Sequence, residues 1–266
     1  MKLLVIGAGN MGLTYAKAIA DSNILKSKIM IMDLDEAKMQ QLQAEGTFET
    51  YTNVKECTPK ADAIMVAVKP QHKDGLFADM KPLMKPEQLV ISVMAGVSIA
   101  TIQKGLGVDK VVRAMPNLPA QLGLGMTTFF PDNSVSEEEQ ELVDQMLAST
   151  GKSLRLTKED DINTSTAVSG SGPAFIFYFI QSMLDGAKHY GYDDATAKEL
   201  VTQTFAGALE QYIKGDLTPE EWMKRVASKG GTTQAALDKF DEQEVRAGIK
   251  KGMIACYDRA IELSKL

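Results

Sequence analysis

Gly7-Ala8-Gly9-Asn10-Met11-Gly12 is a glycine-rich stretch that directly follows the apolar run Leu3-Leu4-Val5-Ile6. The residues after it, Leu13 to Ala20, have the composition of a helix. A strand, a glycine turn and a helix in this order are typical of dinucleotide-binding sites. The position of the stretch therefore predicts that the chain begins with such a site, and the rest of the sequence can be interpreted around it.

Each glycine of the stretch has its own purpose in a site of this kind. Gly7 allows the tight turn, Gly9 lets a pyrophosphate approach the backbone, and Gly12 lets the helix pack closely on the strand. The N-terminus of the following helix offers phosphates free N–H groups and the positive end of its dipole. The alternative is a tight structural turn in some other α/β domain.

Strand and helix patterns alternate through the first half of the chain. After the first strand, further strands are predicted at Lys28–Asp33, Phe48–Tyr51, Ala61–Val68, Leu89–Val93 and Val111–Met115. This alternation, with apolar strands, indicates an α/β fold with a doubly wound parallel sheet of the Rossmann type. Met126–Phe130 is predicted to add an edge strand, and Ser153–Leu156 a last short strand.

The pattern becomes helical almost throughout after Thr157. Helices are predicted over 158–169, 174–190, 194–214, 219–227, 233–240 and 242–265. We therefore expect two domains, a dinucleotide-binding Rossmann domain over 1–157 and an all-α domain over 158–266. The run Ala174–Ile180 is apolar nearly all round, so a second copy of the chain is expected to cover it in a homodimer.

Composition argues against several classes of function. The net charge of −6 at pH 7 predicts no nucleic-acid partner. The apolar run Ala174–Ile180 is far shorter than a bilayer requires, so no membrane partner is expected. The histidines, His72 and His189, belong to no metal-ligand cluster, and no metal site is predicted. Cys57 and Cys256 have no pairing motif and indicate reduced thiols in a cytoplasmic protein.

Asp33 ends the second strand, at the sheet edge where ligands of open α/β sheets bind. A carboxylate at this point accepts hydrogen bonds from the adenosine ribose and repels a 2′-phosphate. Asp33 therefore predicts NADH rather than NADPH as the cofactor. The alternative is that Asp33 caps the next helix, although Asp35 is also placed for that role.

Three other strand ends carry candidate cofactor contacts. Val68-Lys69-Pro70 follows the fourth strand, and Lys69 is placed to contact a phosphate or ribose unless it is simply a solvated lysine. Met94-Ala95-Gly96 follows the fifth strand, and its small residues would let a nicotinamide ring lie against the backbone unless they form a plain turn. Asn117, between two prolines, is predicted to orient the nicotinamide or the substrate; loop rigidity alone is the alternative.

The stretch Ser228-Lys229-Gly230-Gly231-Thr232-Thr233 lies between two predicted helices. Free N–H groups and hydroxyls converge there at a helix N-terminus, which suits a small carboxylate better than a nucleotide. An ordinary helix–helix turn is the alternative.

Six sequence blocks, in their order along the chain, resemble those of the pyrroline-5-carboxylate reductase family, and the likeness covers essentially the whole chain. They are residues 7–12, Ala67-Val68-Lys69-Pro70, Ala95-Gly96-Val97, Arg113-Ala114-Met115-Pro116-Asn117, Val168-Ser169-Gly170-Ser171-Gly172-Pro173-Ala174 and Gly230-Gly231-Thr232-Thr233. The resemblance implies an oxidoreductase that reduces 1-pyrroline-5-carboxylate to L-proline with NADH or NADPH. It also implies a Rossmann domain followed by a helical dimerisation and substrate domain, with homodimers that often form a ring of dimers.

The resemblance implies roles for individual residues of the helical domain. Thr233 matches the threonine whose hydroxyl reaches the substrate nitrogen, which makes it the candidate catalytic residue. Ser228, Gly231 and Thr232 match positions that hold the substrate carboxylate, and Gly230 belongs to the same substrate-binding stretch.

Further roles concern the cofactor, and three residues depart from the family. Asn53 matches an asparagine near the adenosine ribose, and Lys69, Met94, Ala95 and Asn117 fall at positions of cofactor contacts. The departures are Lys229 in place of a usual proline, Leu118 in place of a usual threonine, and Asp33 in place of a small or polar residue. They leave cofactor preference and turnover open.

Two other functions are compatible with parts of the sequence. An enzyme of the β-hydroxyacid dehydrogenase type also has a Rossmann half followed by helices, but it needs a proton donor for a ketone, usually a lysine. A non-catalytic dinucleotide-binding regulator would need residues 7–12 but would have no reason to keep Gly230 to Thr233.

Overall fold

A computed structural model describes residues 1–264; residues 265 and 266, where the last predicted helix and the predicted second domain end, lie outside the described residues. One sheet contains the strands of this part of the chain: β1 Leu3–Ile6, β2 Met30–Met32, β3 Glu49–Tyr51, β4 Ala63–Val66, β5 Leu89–Ser92, β6 Val111–Met115, β7 Gly125–Pro131 and β8 Gly151–Arg155. Their spatial order is β3-β2-β1-β4-β5-β6-β7-β8. The predicted Rossmann-type fold is confirmed, since the order reverses between β1 and β4 as in doubly wound sheets.

The strand directions differ from the prediction at one place. Within the described residues, β6 and β7 pair antiparallel, with Ala114 opposite Phe129, whereas the other neighbouring strands are parallel. β7 lies inside the sheet and β8 forms the edge. The edge position predicted for Met126–Phe130 is therefore wrong, because an apolar pattern shows which faces of a strand are buried and not which strands lie beside it.

Helices alternate with the strands and then continue alone after β8. Their bounds are α1 Asn10–Ser22, α2 Glu36–Glu45, α3 Val54–Cys57, α4 Lys73–Met80, α5 Ile99–Leu106, α6 Glu137–Ala148, α7 Asp161–Ser165, α8 Gly172–His189, α9 Asp194–Lys214, α10 Pro219–Val226, α11 Thr232–Glu242 and α12 Val245–Ser264. The helix predicted over 158–169 is divided, because α7 ends at Ser165 and a π-helical turn, Thr166–Gly170, follows it.

Both faces of the sheet are covered, as the alternation in β1 shows. Leu3 and Val5 belong to the core on one face, and Leu4 and Ile6 to the core on the other.

Cys57 is fully buried in the second core, where burial raises the pKa of its thiol to about 11. Cys57 is therefore a protonated core side chain at neutral pH.

The chain divides into two compact units. One consists of residues 1–173 together with 256–264 and contains the sheet, and the other consists of residues 174–255 and is helical. Within 174–255, all of which the structure describes, only Ala197 and Val201 are buried. The domain boundary at residue 157 stays a prediction. Among the described residues, none of the helices has both the length and the hydropathy that a membrane span requires.

Candidate active site

Gly7 and Gly12 hold β1 and α1 together at the glycine turn. Gly7 has a φ of +99°, and its N–H donates a hydrogen bond to the Met32 carbonyl at 2.8 Å. A Cβ on Gly7 would lie 2.9 Å from the Ala67 carbonyl oxygen, and a Cβ on Gly12 would overlap the carbonyl oxygen of Gly7. Both positions therefore need glycine for backbone packing, as the sequence predicts.

Gly9 is different, because no packing among residues 1–264 requires a glycine there. It precedes α1 in an extended conformation, and a Cβ built on it would have no neighbour within 4 Å. The open space lies beside the first N–H groups of α1, next to Asn10 and Met11. This arrangement lets a bound group approach the backbone closely, which is the purpose predicted for Gly9.

The Asp33 carboxylate braces the glycine turn. Its Oδ2 accepts the N–H of Ala8 at 2.6 Å, and its Oδ1 accepts the N–H of Asp35 at 3.1 Å. Asp35 is the residue that caps α2, since its side chain accepts the N–H of Lys38 at 3.0 Å. The alternative role of Asp33 as the helix cap is therefore wrong. A carboxylate has about four acceptor positions, so Asp33 retains capacity for a ribose hydroxyl.

A cavity of about 860 Å³ opens at the carboxyl ends of β1, β2 and β4. The candidate cofactor residues that line it are Gly7, Gly9, Asp33, Asn53, Val68 and Lys69. The Asn53 side-chain oxygen accepts the N–H of Lys55 at 2.9 Å, which leaves the Asn53 amide nitrogen as a donor toward a ligand. The structure thus brings the adenosine-side candidates together around one cavity.

Several residues of this cavity are absent from the sequence prediction: Leu34, Thr52, Lys55, His72 and Asp79. Leu34 is 81% exposed, although it is a large apolar side chain. The signal that could have identified Leu34 is its position between two acidic residues at the end of a strand. Thr52 directly follows β3, and its position at that strand end was also a usable signal. Lys55, His72 and Asp79 follow strand ends at a distance of several residues, where spacing gives no indication.

The residues after β5 lie apart from this cavity. Met94 is buried, Ala95 is exposed, and Gly96 has a φ of +71°. A Cβ on Gly96 would lie 3.0 Å from the Cβ of Leu263 near the end of α12. Pro70, the remaining candidate of its block, begins a short 3₁₀ turn and does not line the cavity.

The Asn117 side chain makes contacts within the protein on both of its polar atoms. Its Oδ1 accepts the N–H of Met126 at 2.9 Å, and its Nδ2 donates to the carbonyl of Ser169 at 3.1 Å. Asn117 therefore links the beginning of β7 to the π-helical turn. The second N–H of the amide remains available for a ligand. The orienting role of Asn117 stays a prediction.

Among the described helices whose N-cap residue is extended, α1 and α11 lack a side-chain cap. Six other helices, α2, α3, α5, α6, α9 and α10, are each capped by the side chain of an extended residue. These N-cap residues are, in the same order, Asp35, Asn53, Ser98, Ser136, Asp193 and Thr218. α1 and α11 instead begin after glycines, Gly9 and Gly231, with no side-chain hydrogen bond from the described residues. These are the two helices at which the sequence predicts bound anions.

The second glycine stretch forms a tight turn into α11. Gly230 has a φ of +74°, and the N–H of Gly231 donates to the Ser228 carbonyl at 2.9 Å. A Cβ on Gly231 would overlap the Ser228 hydroxyl, so this glycine also has a packing reason. Thr232 is exposed and Thr233 is half-buried, and Thr233 lines a mainly apolar cavity of about 440 Å³ within residues 174–255.

Two protein-family models match the chain. The model described as pyrroline-5-carboxylate reductase dimerisation matches residues 159–263, and the model described as NADP oxidoreductase, coenzyme F420-dependent, matches residues 2–96. Both matches agree with the division of the sequence into a Rossmann half and a helical half.

Relatives that match over nearly the whole chain are pyrroline-5-carboxylate reductases. A pyrroline-5-carboxylate reductase of Pseudomonas aeruginosa is 32% identical over 99% of this chain and 97% of its own length. One of Pasteurella multocida is 34% identical over 98% of this chain and 97% of its own length. A crystal structure of a Plasmodium falciparum pyrroline carboxylate reductase with NADP bound is 26% identical, has a TM-score of 0.89, and covers 99% of this chain and 98% of its own. This chain belongs to the pyrroline-5-carboxylate reductase family.

Proposed function

We propose that this chain reduces 1-pyrroline-5-carboxylate to L-proline with NAD(P)H, that it prefers NADH, and that its active site is shared by two protomers. The observation that carries the proposal is the pair of helix N-termini, of α1 and α11, that glycines leave without a side-chain cap. One suits the pyrophosphate of a dinucleotide and the other a small carboxylate. These are the two anionic groups that this reaction brings together.

The residues at the sheet edge fit a nicotinamide dinucleotide. Gly9 offers open space beside the N-terminus of α1, and the adjoining cavity of about 860 Å³ presents the carboxylate of Asp33 and the amide of Asn53. When bound, the cofactor supplies the hydride. The protein residues need to hold the reacting groups in line and keep water away.

The turn before α11 supplies the substrate contacts in this proposal. The N–H of Gly231 already donates to Ser228, so the free donors are the N–H groups of Thr232 and Thr233 and the nearby hydroxyls. We assign the carboxylate to these donors and the ring nitrogen to the Thr233 hydroxyl. A cyclic imine protonated at nitrogen is already electrophilic, so no strong acid or base is required at the reacting carbon.

Oxidation of NADH in the presence of pyrroline-5-carboxylate tests the function. The absorbance of NADH should fall only when the imine is added, and L-proline should appear in equal amount. A ketone such as a β-keto acid should not replace the imine. Absence of proline formation with both NADH and NADPH would refute the proposal.

NADH is expected to be used at least as well as NADPH, because the Asp33 carboxylate would face a 2′-phosphate with like charge. The Ala8 and Asp35 N–H groups hold this carboxylate in place, so it has little freedom to turn away. Asp33→Ser should raise the ratio of NADPH to NADH kcat/KM by roughly 10-fold, since it removes that repulsion.

Asp35→Ser is the matched control for Asp33→Ser. It removes the same charge from the next acidic residue, and serine still caps α2. This control should leave the cofactor ratio unchanged. A wild-type preference for NADPH of about tenfold or more in kcat/KM would contradict the prediction.

Exposed apolar side chains support a homodimer built from the helical unit. α8 has no buried residue, although Phe177 and Tyr178 are large apolar side chains that are 57% and 75% exposed. A mainly apolar groove of about 430 Å³ lies between α8 and α12. Gly248 and Gly252 line it, and a Cβ on either would meet nothing within 4 Å. A helix of a second copy fits such a groove, because glycines permit close approach.

Sedimentation at micromolar concentration is expected to show a dimer or a multiple of it, such as a ring of dimers. Phe177→Glu should shift the protein toward monomer and lower activity, since it places a charge in the apolar interface. Leu154→Glu is the control, because Leu154 is similarly exposed, at 49%, but lies on β8. An active wild-type monomer would refute the dimer and the shared site.

The cytoplasmic location suggested by the two reduced cysteines stays a prediction.

A further inference from the structure

One oxygen of Glu159 accepts two hydrogen bonds from distant parts of the chain. Its Oε1 accepts the backbone N–H of Ile99 at 2.9 Å and Nη1 of Arg113 at 3.1 Å. Arg113 is only 2% exposed, and its Nη2 donates to the side chain of Asn163 at 2.8 Å. A buried guanidinium is costly to leave without a partner, so the position of the Glu159 oxygen is strongly determined.

The Glu159 oxygen connects the beginning of α5 to strand β6. Ile99 is the first residue of α5 and directly follows the turn of residues 94–98, while Arg113 lies on β6. The same turn is bounded on another side, where Gly96 approaches Leu263. The residues that contact the turn, Glu159 and Leu263, thus come much later in the sequence. Glu159 is 60 residues after Ile99.

We propose that Glu159 is a positioning residue that holds the turn of residues 94–98 where the nicotinamide end of the cofactor needs it. The proposal rests on the function above and on the sequence prediction that Met94-Ala95-Gly96 lies against the nicotinamide. Glu159 acts through the backbone N–H of Ile99, so the turn keeps its place whatever its own side chains are. Misplacement of this turn should impair alignment for the reaction more than the binding of the adenosine half.

Ile99→Pro breaks this hydrogen bond without touching Glu159. Proline lacks the N–H but suits the first position of a helix, and Ser98 before it is already extended, with a ψ of 157°. Ile99→Ala is the matched control, because it keeps the N–H and loses more of the buried side chain. We expect Ile99→Pro to lower kcat about 10-fold, with Ile99→Ala within about threefold of wild type.

Amide hydrogen exchange of the cofactor-free protein gives a readout that does not depend on activity. Ile99→Pro should speed deuterium uptake in the peptide of residues 93–102, and Ile99→Ala should do so much less. The affinity for ADP-ribose, which lacks the nicotinamide, should stay within about twofold of wild type in both variants. Equal uptake and equal kcat in the two variants would overturn the proposal.

A second pair of variants tests the same bond from the other side. Glu159→Gln keeps an oxygen for the Ile99 N–H, whereas Glu159→Ala removes it, and both leave Arg113 without its charged partner. Both should lower Tm, but only Glu159→Ala should lower kcat about 10-fold and speed exchange at residues 93–102. An equal loss of kcat in both variants would assign Glu159 a purely structural role.

Glu139→Ala controls for the loss of an ion pair next to the same strand. Glu139 pairs with Lys110 at 2.7 Å, directly before β6 begins. This variant should lower Tm and leave exchange at residues 93–102 unchanged. If the wild type does not oxidise NADH with pyrroline-5-carboxylate, the function fails by itself, and the exchange experiments still decide whether Glu159 holds the turn.

Discussion

Thr233→Ala is expected to lower kcat/KM for pyrroline-5-carboxylate about 10- to 100-fold, or about 1.4–2.7 kcal/mol, the size of one lost transition-state hydrogen bond. The hydroxyl is assigned to the ring nitrogen, where charge is lost as the imine is reduced. Thr233 lies in α11 and is absent from the cavity at the sheet edge, so the affinity for NADH should hardly change. Steady-state kinetics and a binding titration with NADH measure the two quantities.

Thr233→Ser is the control for this prediction, because it keeps the hydroxyl and removes only a methyl group. It should retain most of the wild-type kcat/KM, and both variants should have nearly the same Tm, since Thr233 is only half-buried. Kinetics of Thr233→Ala that equal those of the wild type would remove Thr233 from the site.

Mixing two strongly impaired variants tests whether the site is shared. One chain carries Thr233→Ala, and the other carries Gly9→Val, which fills the open space beside the N-terminus of α1. In a shared site each heterodimer regains one intact site, so random exchange of chains should restore about one quarter of wild-type activity. No recovery after verified exchange would show that each site lies within one chain.

Gly12→Ala is expected to have the larger effect of two substitutions in the glycine turn. Its Cβ would overlap the Gly7 carbonyl oxygen, so the turn between β1 and α1 must open. We expect loss of measurable NADH binding and a loss of stability of about 1–3 kcal/mol, as for overpacking in a core. Thermal unfolding and an NADH titration measure these effects.

Gly9→Ala separates ligand binding from packing. Its Cβ would meet no atom of the part of the chain that the structure describes within 4 Å, so Tm should change little. The affinity for NADH should fall about 10-fold or more, because the methyl group occupies the space through which the pyrophosphate approaches. Wild-type NADH affinity in the Gly9→Ala variant would contradict the proposed position of the cofactor, whatever happens to Gly12→Ala.

The parts of the site that depend on local sequence could be predicted. The order of strand, glycine turn and helix determines that Gly7 and Gly12 meet backbone and that Gly9 faces open space. The position of Asp33 at the end of β2 likewise brings its carboxylate to the cavity. The N-caps at Ser136 and Thr218 also follow the local pattern.

The parts that depend on distant partners could not be predicted. The side-chain oxygen of Asn117 accepts the N–H of Met126, and its amide nitrogen donates to the carbonyl of Ser169, which is 52 residues away. No spacing rule indicates the pairing with Ser169. Glu159 received no role from the sequence, because a single carboxylate in the first turn of a predicted helix is ordinary. The direction of β7 was also missed, since apolar strands look alike in parallel and antiparallel pairs.

Since α8, α10 and α11 have no buried residues, we expect the stability of this protein to depend on its concentration. In the proposed dimer, the second chain covers the exposed apolar side chains of these helices, so unfolding and dissociation become one event. Each tenfold dilution should then remove about 1.4 kcal/mol from the apparent stability of the dimer. Thermal unfolding curves recorded over a hundredfold range of concentration should therefore shift to lower temperature as the protein is diluted, and refolding should slow with dilution because two chains must meet.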